Sequence, residues 1–242
     1  MSGHSKWSTI KRKKEKTDQQ RAKIFTKIGR EIAMVVKAGG ADPASNAKLR
    51  DAITKAKANN VPNDNIERII KKAAGETGGS NYEEIVYEGY GPNGVAVVVE
   101  TLTDNRNRTA GDLRHYFDKC GGNLGQNGSV MFMFERKGQI VIEAEGKDED
   151  TVMEAALEAG ADDFNFDGDV FEIYTDANEV GKVAAELEAK GYSFLSAEAA
   201  YLPSTTTELA DEESVAKMEK LIDMLEENDD VQNIWHNWEA KE

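Results

Sequence analysis

The stretch QIVIEAEGKDEDTVMEAALEAGADDFNFDGDVFEIYTDANEVGKVAAELEAKGYSFLSAEAAY, residues 139–201, decides the fold. Apolar residues alternate along Ile140–Ala144, recur at helical spacing over Glu149–Ala159, and alternate again at Asp163–Phe166 and Val170–Thr175. Helical spacing returns over Asn178–Lys190, and a last alternating run covers Phe194–Tyr201. The order is βαββαβ, the ferredoxin-like arrangement. Inside it, Asp163-Phe164-Asn165-Phe166-Asp167-Gly168 matches the first half of a calcium loop. The twelfth position, which should be a bidentate Glu, is Tyr174, and no helix runs directly into Asp163. Alternating Phe164 and Phe166 followed by Asp167-Gly168 predict a hairpin instead.

On the N-terminal side, Ile85–Tyr90 and Val95–Leu102 read as paired strands, Thr109–Lys119 as a helix and Val130–Glu135 as a further strand. After Pro203 come a short strand, a helix at Glu212–Glu227 and a last strand at Val231–Trp238. These complete a βα set that residues 80–136 leave unfinished. Residues 137–204 are therefore expected to be a domain inserted into a discontinuous one, 80–136 plus 205–242.

Before the run Gly75-Glu76-Thr77-Gly78-Gly79-Ser80 the periodicity is helical throughout. Thr17 and Gln20 suit a capping box, after which Ile24, Ile28, Ile32 and Val35 recur until Gly39-Gly40. A second helix is expected with Asp42 as cap and Pro43 in its first turn, and a third from Asn63 to Gly75. Residues 1–79 thus read as a basic arm and a three-helix domain. The whole is an α+β chain of three domains, the helical one and two α/β ferredoxin-like ones.

Of the 242 residues, 30 are Lys or Arg and 45 Asp or Glu, a net charge of −15 that hides a split. Residues 1–75 carry 18 basic against 7 acidic side chains, net +11, and the remainder 12 against 38, net −26. A polyanion is attracted to the first part and repelled by the second, so nucleic-acid contact falls to the N-terminal quarter. The basic side chains are Lys6, Lys11, Arg12, Lys13, Lys14 and Lys16 in the arm, then Arg21, Lys23, Lys27 and Arg30 on the outer face of the first helix. Trp7 is placed either to stack on a base or to anchor the arm. In the acidic body, Arg106, Arg108 and Arg114 cluster within a few positions, fitting either internal carboxylate pairs or a polyanion. Asn65, Arg68 and Lys72 would face outward on the third helix, but Asp64 and Glu67 beside them make a poor duplex-reading surface.

Other chemistries find little here. Gly89-Tyr90-Gly91-Pro92-Asn93-Gly94 fits the dinucleotide fingerprint by spelling, yet a strand follows it where a helix is required, so a hairpin is expected. One cysteine, Cys120, and three scattered histidines leave no disulfide framework and no metal spacing, and point to a reducing, cytoplasmic setting. No window of 18 apolar residues and no signal-peptide core occur, so no membrane partner is expected. Neither a P-loop nor Gly-x-Ser-x-Gly nor His-Glu-x-x-His is present, and we expect no enzyme, no cofactor, no metal and no small-molecule substrate.

Several stretches together resemble the YebC/PmpR family: Gly3-His4-Ser5-Lys6-Trp7, Lys23-Ile24-Phe25-Thr26-Lys27-Ile28, Tyr87-Glu88-Gly89-Tyr90-Gly91-Pro92, Asp104-Asn105-Arg106-Asn107-Arg108-Thr109, and Cys120-Gly121-Gly122-Asn123-Leu124-Gly125. The segments 153–160 and 221–225 extend the likeness over nearly the whole chain. It implies a three-domain cytoplasmic protein that binds nucleic acid without catalysis. Bacterial members are described as DNA-binding transcriptional regulators. Others, including the mitochondrial translational activator of cytochrome c oxidase subunit I, are tied to translation on ribosomes stalled at proline-rich stretches. The partners implied are accordingly DNA, or ribosomal RNA and the ribosome. His4, Ser5, Lys6 and Trp7 match the arm motif, and Asn105, Arg106 and Arg108 an arginine loop. The run Lys13-Lys14-Glu15-Lys16-Thr17 departs from the more Ala-containing family pattern.

Overall fold

The computed structural model describes residues 18–75 and 81–239. Among the described residues three helices come first: α1 (Asp18–Gly39), α2 (Ala47–Ala58) and α3 (Asn63–Gly75). Ile28, Ile32 and Val35 of α1 meet Leu49 and Ala56 of α2 and Ile66 of α3 in one buried cluster. The α1–α2 turn corrects the expected cap. Asp42 makes a local turn, its Oδ1 accepting from the Ala44 N–H, and α2 starts only after Asn46. Asn46 is buried, its Oδ1 accepting from the Leu49 N–H while its Nδ2 donates to the carbonyls of Val35 and Gly40. One amide thus caps α2 and satisfies an orphan carbonyl at the end of α1.

Next come β1 (Glu83–Tyr90), β2 (Ala96–Thr103), α4 (Arg106–Lys119) and the short β3 (Asn123–Leu124). β1 and β2 form the hairpin expected at the glycine-rich run, closed by the Gly91 N–H donating to Val95 O, with a 3₁₀ turn at Pro92–Gly94. The expected strand at Val130–Glu135 is instead a 3₁₀ turn, Met131–Met133, followed by one long strand, β4 (Phe134–Glu143). The polar run Glu135-Arg136-Lys137 reads as a break in sequence, but it is part of that strand.

α5 (Glu149–Glu158), β5 (Asp163–Asp167), β6 (Val170–Thr175), α6 (Val180–Ala189) and β7 (Ser196–Pro203) complete the inserted domain. Its sheet runs β5-β6-β4-β7, and Asp167-Gly168 lies at the β5–β6 hairpin with Gly168 at φ 58°. Ile140, Ile142, Phe171 and Ile173 of the sheet pack beneath Val152 and Ala156 of α5 and Val183 and Leu187 of α6.

The chain then returns through β8 (Thr207–Glu208), α7 (Glu212–Glu227), β9 (Val231–His236) and β10 (Trp238–Glu239). The large sheet of this domain runs β3-β1-β2-β9. α4 and α7 cover it through Leu113, Phe117, Met218, Leu221 and Leu225. Burying a side chain such as Phe117 contributes about 1.5–3 kcal/mol. The expected single last strand breaks at Asn237, whose Oδ1 accepts from the Ala96 N–H while its Nδ2 donates to Thr207 Oγ1. β10 then leaves the large sheet to pair with β8.

The fold is therefore α+β, a helical domain with three helices among the described residues and two α/β domains, one inserted in the other. It gathers into two compact units, one of residues 81–135 with 201–239 and one in which the helical domain joins residues 136–200. In the latter, Lys55 of α2 reaches Glu31 at 3.0 Å and Glu198 at 3.6 Å. Lys57 pairs with Glu188, and Asp51 Oδ1 accepts from the Gly181 N–H at the start of α6.

Candidate nucleic-acid interface

Of the side chains expected to meet nucleic acid, His4, Ser5, Lys6, Trp7, Lys11, Arg12, Lys13 and Lys14 lie outside the described residues. Lys23, Lys27 and Arg30 share a face of α1, opposite the Ile28, Ile32 and Val35 stripe, because steps of three and four return to one side of a helix. Arg21 sits about 160° around from Lys23. Arg21 is exposed and the other three half-buried, and each already takes part in a further interaction. On α3, Arg68 and Lys72 are exposed, and Arg68 donates to Asn65 Oδ1 at 3.3 Å.

The arginine loop is not a loop. Asn105 is the N-cap of α4, its Oδ1 accepting from the Arg108 N–H at 3.0 Å, so Arg106 and Arg108 stand in the first turn of a helix. That end carries the positive pole of the helix, and the first turn has no acidic residue, so two arginines there are electrostatically misplaced. For Arg108 the compensation is internal. Its guanidinium donates to Asp104 at 2.9 Å and Asp230 at 2.8 Å, and Asp230 also accepts from the Thr109 and Thr103 hydroxyls. Those donors and the arginine charge outweigh burial and hold the Asp230 carboxyl below its ordinary value.

Arg106 has no such brace. It is exposed and, among the described residues, forms no ion pair, although its charge reaches the Tyr87 hydroxyl, which otherwise sits high through burial. Arg114, two turns on, is also exposed and outside any ion pair among the described residues. In the sequence the three arginines form one cluster, of which Arg106 and Arg108 match the arginine loop. The structure separates Arg108, an internal brace, from Arg106 and Arg114, which face solvent.

Two residues of this region escaped sequence reasoning. Asp230 reads as a turn residue after α7, and nothing local announces that it serves α4. Glu88, in the Tyr87–Pro92 motif, is 5% exposed and accepts from three backbone N–H groups, Gly128 at 2.6 Å, Val130 at 2.9 Å and Met131 at 2.7 Å. The three donors outweigh burial and lower its pKa, so a buried carboxylate organises the loop before β4. Cys120 is buried at the end of α4, and burial raises its thiol pKa. Among the described residues no group of three or more His, Cys, Asp or Glu is placed to hold a metal ion, and no helix is long and apolar enough to cross a membrane.

Comparison with known proteins places this architecture. The family model for the TACO1/YebC protein N-terminal domain matches residues 5–76, and that for the TACO1/YebC second and third domain matches residues 82–238. A "probable transcriptional regulatory protein" of Ruminiclostridium cellulolyticum is 61% identical over 243 residues, covering 100% of this chain and 98% of the relative. One of the same name from Acetivibrio thermocellus is 60% identical, covering 98% and 99%. The crystal structure of a conserved hypothetical protein, Aq1575 from Aquifex aeolicus, superposes with a TM-score of 0.81 at 46% identity, covering 94% of this chain and 93% of that one. With matches that together run almost end to end, the chain belongs to the TACO1/YebC family.

Proposed function

We propose that this chain is a non-enzymatic regulator of gene expression, acting in the cytoplasm, that binds nucleic acid through its basic N-terminal arm and helical domain. The observation that carries this reading is the charge split, net +11 over residues 1–75 against −26 beyond. The names of its relatives, probable transcriptional regulatory proteins, support a regulatory role. Arg106 adds support, since an exposed arginine at the positive end of a helix is best stabilised by an external anion such as phosphate.

The target is DNA on the reading those names favour. The acidic remainder favours a second reading, ribosomal RNA on the ribosome, because 26 net negative charges repel flanking duplex phosphates within about 8 Å of screening length. A ribosome offers basic protein beside its RNA. Competition between purified ribosomes and duplex DNA for the labelled protein at physiological salt separates the two. Preference for one DNA fragment over others supports transcriptional regulation, and retention on ribosomes against excess DNA supports translation. Binding to neither overturns the proposal.

A further inference from the structure

The inserted domain presents a surface that the nucleic-acid reading leaves unused. Four large apolar side chains are exposed among the described residues, and three of them, Met153 at 36%, Leu157 at 53% and Phe166 at 44%, belong to α5 and β5. They fall together for a geometric reason. The buried stripe of α5 is Val152, Ala155, Ala156 and Ala159, and the Glu158–Lys190 ion pair marks the flank that faces the end of α6. Met153 and Leu157 occupy the other flank, away from α6 and over the β5 side of the sheet. β5 is an edge strand, paired only with β6. Phe166 lies on its helix-covered side, its ring against Phe171 with centroids 5.2 Å apart, and so is held rigidly while still meeting solvent.

Charge surrounds this apolar centre. Residues 149–169 contain eight Asp or Glu and no Lys or Arg. Glu149, Asp150 and Glu154 are exposed on α5, as are Asp162 and Asp163 at the start of β5. Apolar anchors inside a polar rim are the anatomy of a protein-binding patch. The rim is of one sign, which excludes nucleic acid as occupant and sets a second copy of the chain, bearing the same acidic rim, against itself.

We infer that the α5–β5 face of the inserted domain is a docking surface for a basic segment of another protein that carries apolar side chains. The acidic rim steers that segment in, and Met153, Leu157 and Phe166 hold it. The surface is independent of the nucleic-acid reading, since it uses none of the same residues.

The full chain is titrated at physiological salt into two short fluorescent peptides, one alternating Arg and Leu, the other alternating Arg and Ser. The Arg/Leu peptide is expected to bind at least about tenfold more tightly than the Arg/Ser peptide, and M153S/L157S to remove that advantage. Because both substitutions are at solvent-facing positions, the melting temperature should hold. Hydrogen exchange on the unsubstituted chain gives a reading that needs no variant, with protection by the Arg/Leu peptide expected at residues 149–167. Equal affinity for the two peptides, no weakening in M153S/L157S, or protection elsewhere would overturn the inference. So would a dimer that M153S/L157S dissociates, which would give the face to a second copy, or nucleic-acid binding abolished by the same substitutions.

Discussion

Arg106 and Arg108 are two positions apart and of one type, yet their surroundings assign them opposite work. Arg108 is tied to Asp104 and to Asp230, which also accepts from the Thr103 and Thr109 hydroxyls. Replacing Arg108 with Gln should lower the melting temperature and leave nucleic-acid affinity nearly unchanged. For Arg106→Gln weaker binding is expected with the melting temperature unlowered or slightly raised, since a positive charge leaves the positive end of the helix, and parallel melting and binding curves on the two variants check both. Asp230→Ala should cost about 1–2 kcal/mol in denaturant unfolding, because the buried Thr103 and Thr109 hydroxyls lose a shared acceptor and keep only each other and Asn105, and Arg108 is left with Asp104 alone. None of this division was legible in the sequence. Asn-Arg-Asn-Arg has no apolar residue to show that a helix has begun, and Asp230 is 122 positions from Arg108.

Among the elements, periodicity made most helices and strands legible before their partners were known, and α7 and β6 fall on their expected bounds. The exceptions are places where a distant group decides. Asp42 and Asn46 are both good caps, and the choice went to the residue whose amide also reaches Val35 and Gly40. Asn46→Ala should therefore cost about 2–3 kcal/mol, and Asn46→Asp, which keeps the cap acceptor but turns a carboxylate toward two carbonyls, should recover little of it in thermal unfolding. The α2–α6 packing gives a pH signature. Burial pushes Asp51 from its ordinary 3.8 up to about 6, against the lowering effect of the Gly181 N–H. A carboxyl raised on folding binds its proton more tightly in the native state, so its contribution is fully present in acid and fades as pH rises from about 4 through 6. Asp51→Asn keeps an acceptor for Gly181 and has no charge to bury. Its melting temperature, relative to the unsubstituted chain, should rise across that window and stay higher at neutral pH. A constant difference across the window would show that Asp51 is not buried as a proton-holding group.

At the scale of the whole molecule, the charge split and the insertion are legible in the sequence, because both are properties of order along the chain. The joining of the helical domain to the inserted one was not legible, since it rests on Lys55, Lys57 and Asp51 meeting residues more than a hundred positions away. The resulting molecule concentrates its positive charge at one end of the chain and its acidic residues in the rest. The central claim is that the N-terminal quarter meets the polyanion. Its most direct test is the salt dependence of nucleic-acid affinity, for the unsubstituted chain and for a variant with Lys11, Arg12, Lys13 and Lys14 changed together to Ala. Weaker binding is predicted for the variant, with a slope of log affinity against log salt flatter by up to about 0.9 for each duplex phosphate it no longer neutralises. An unchanged slope at unchanged affinity would contradict the claim.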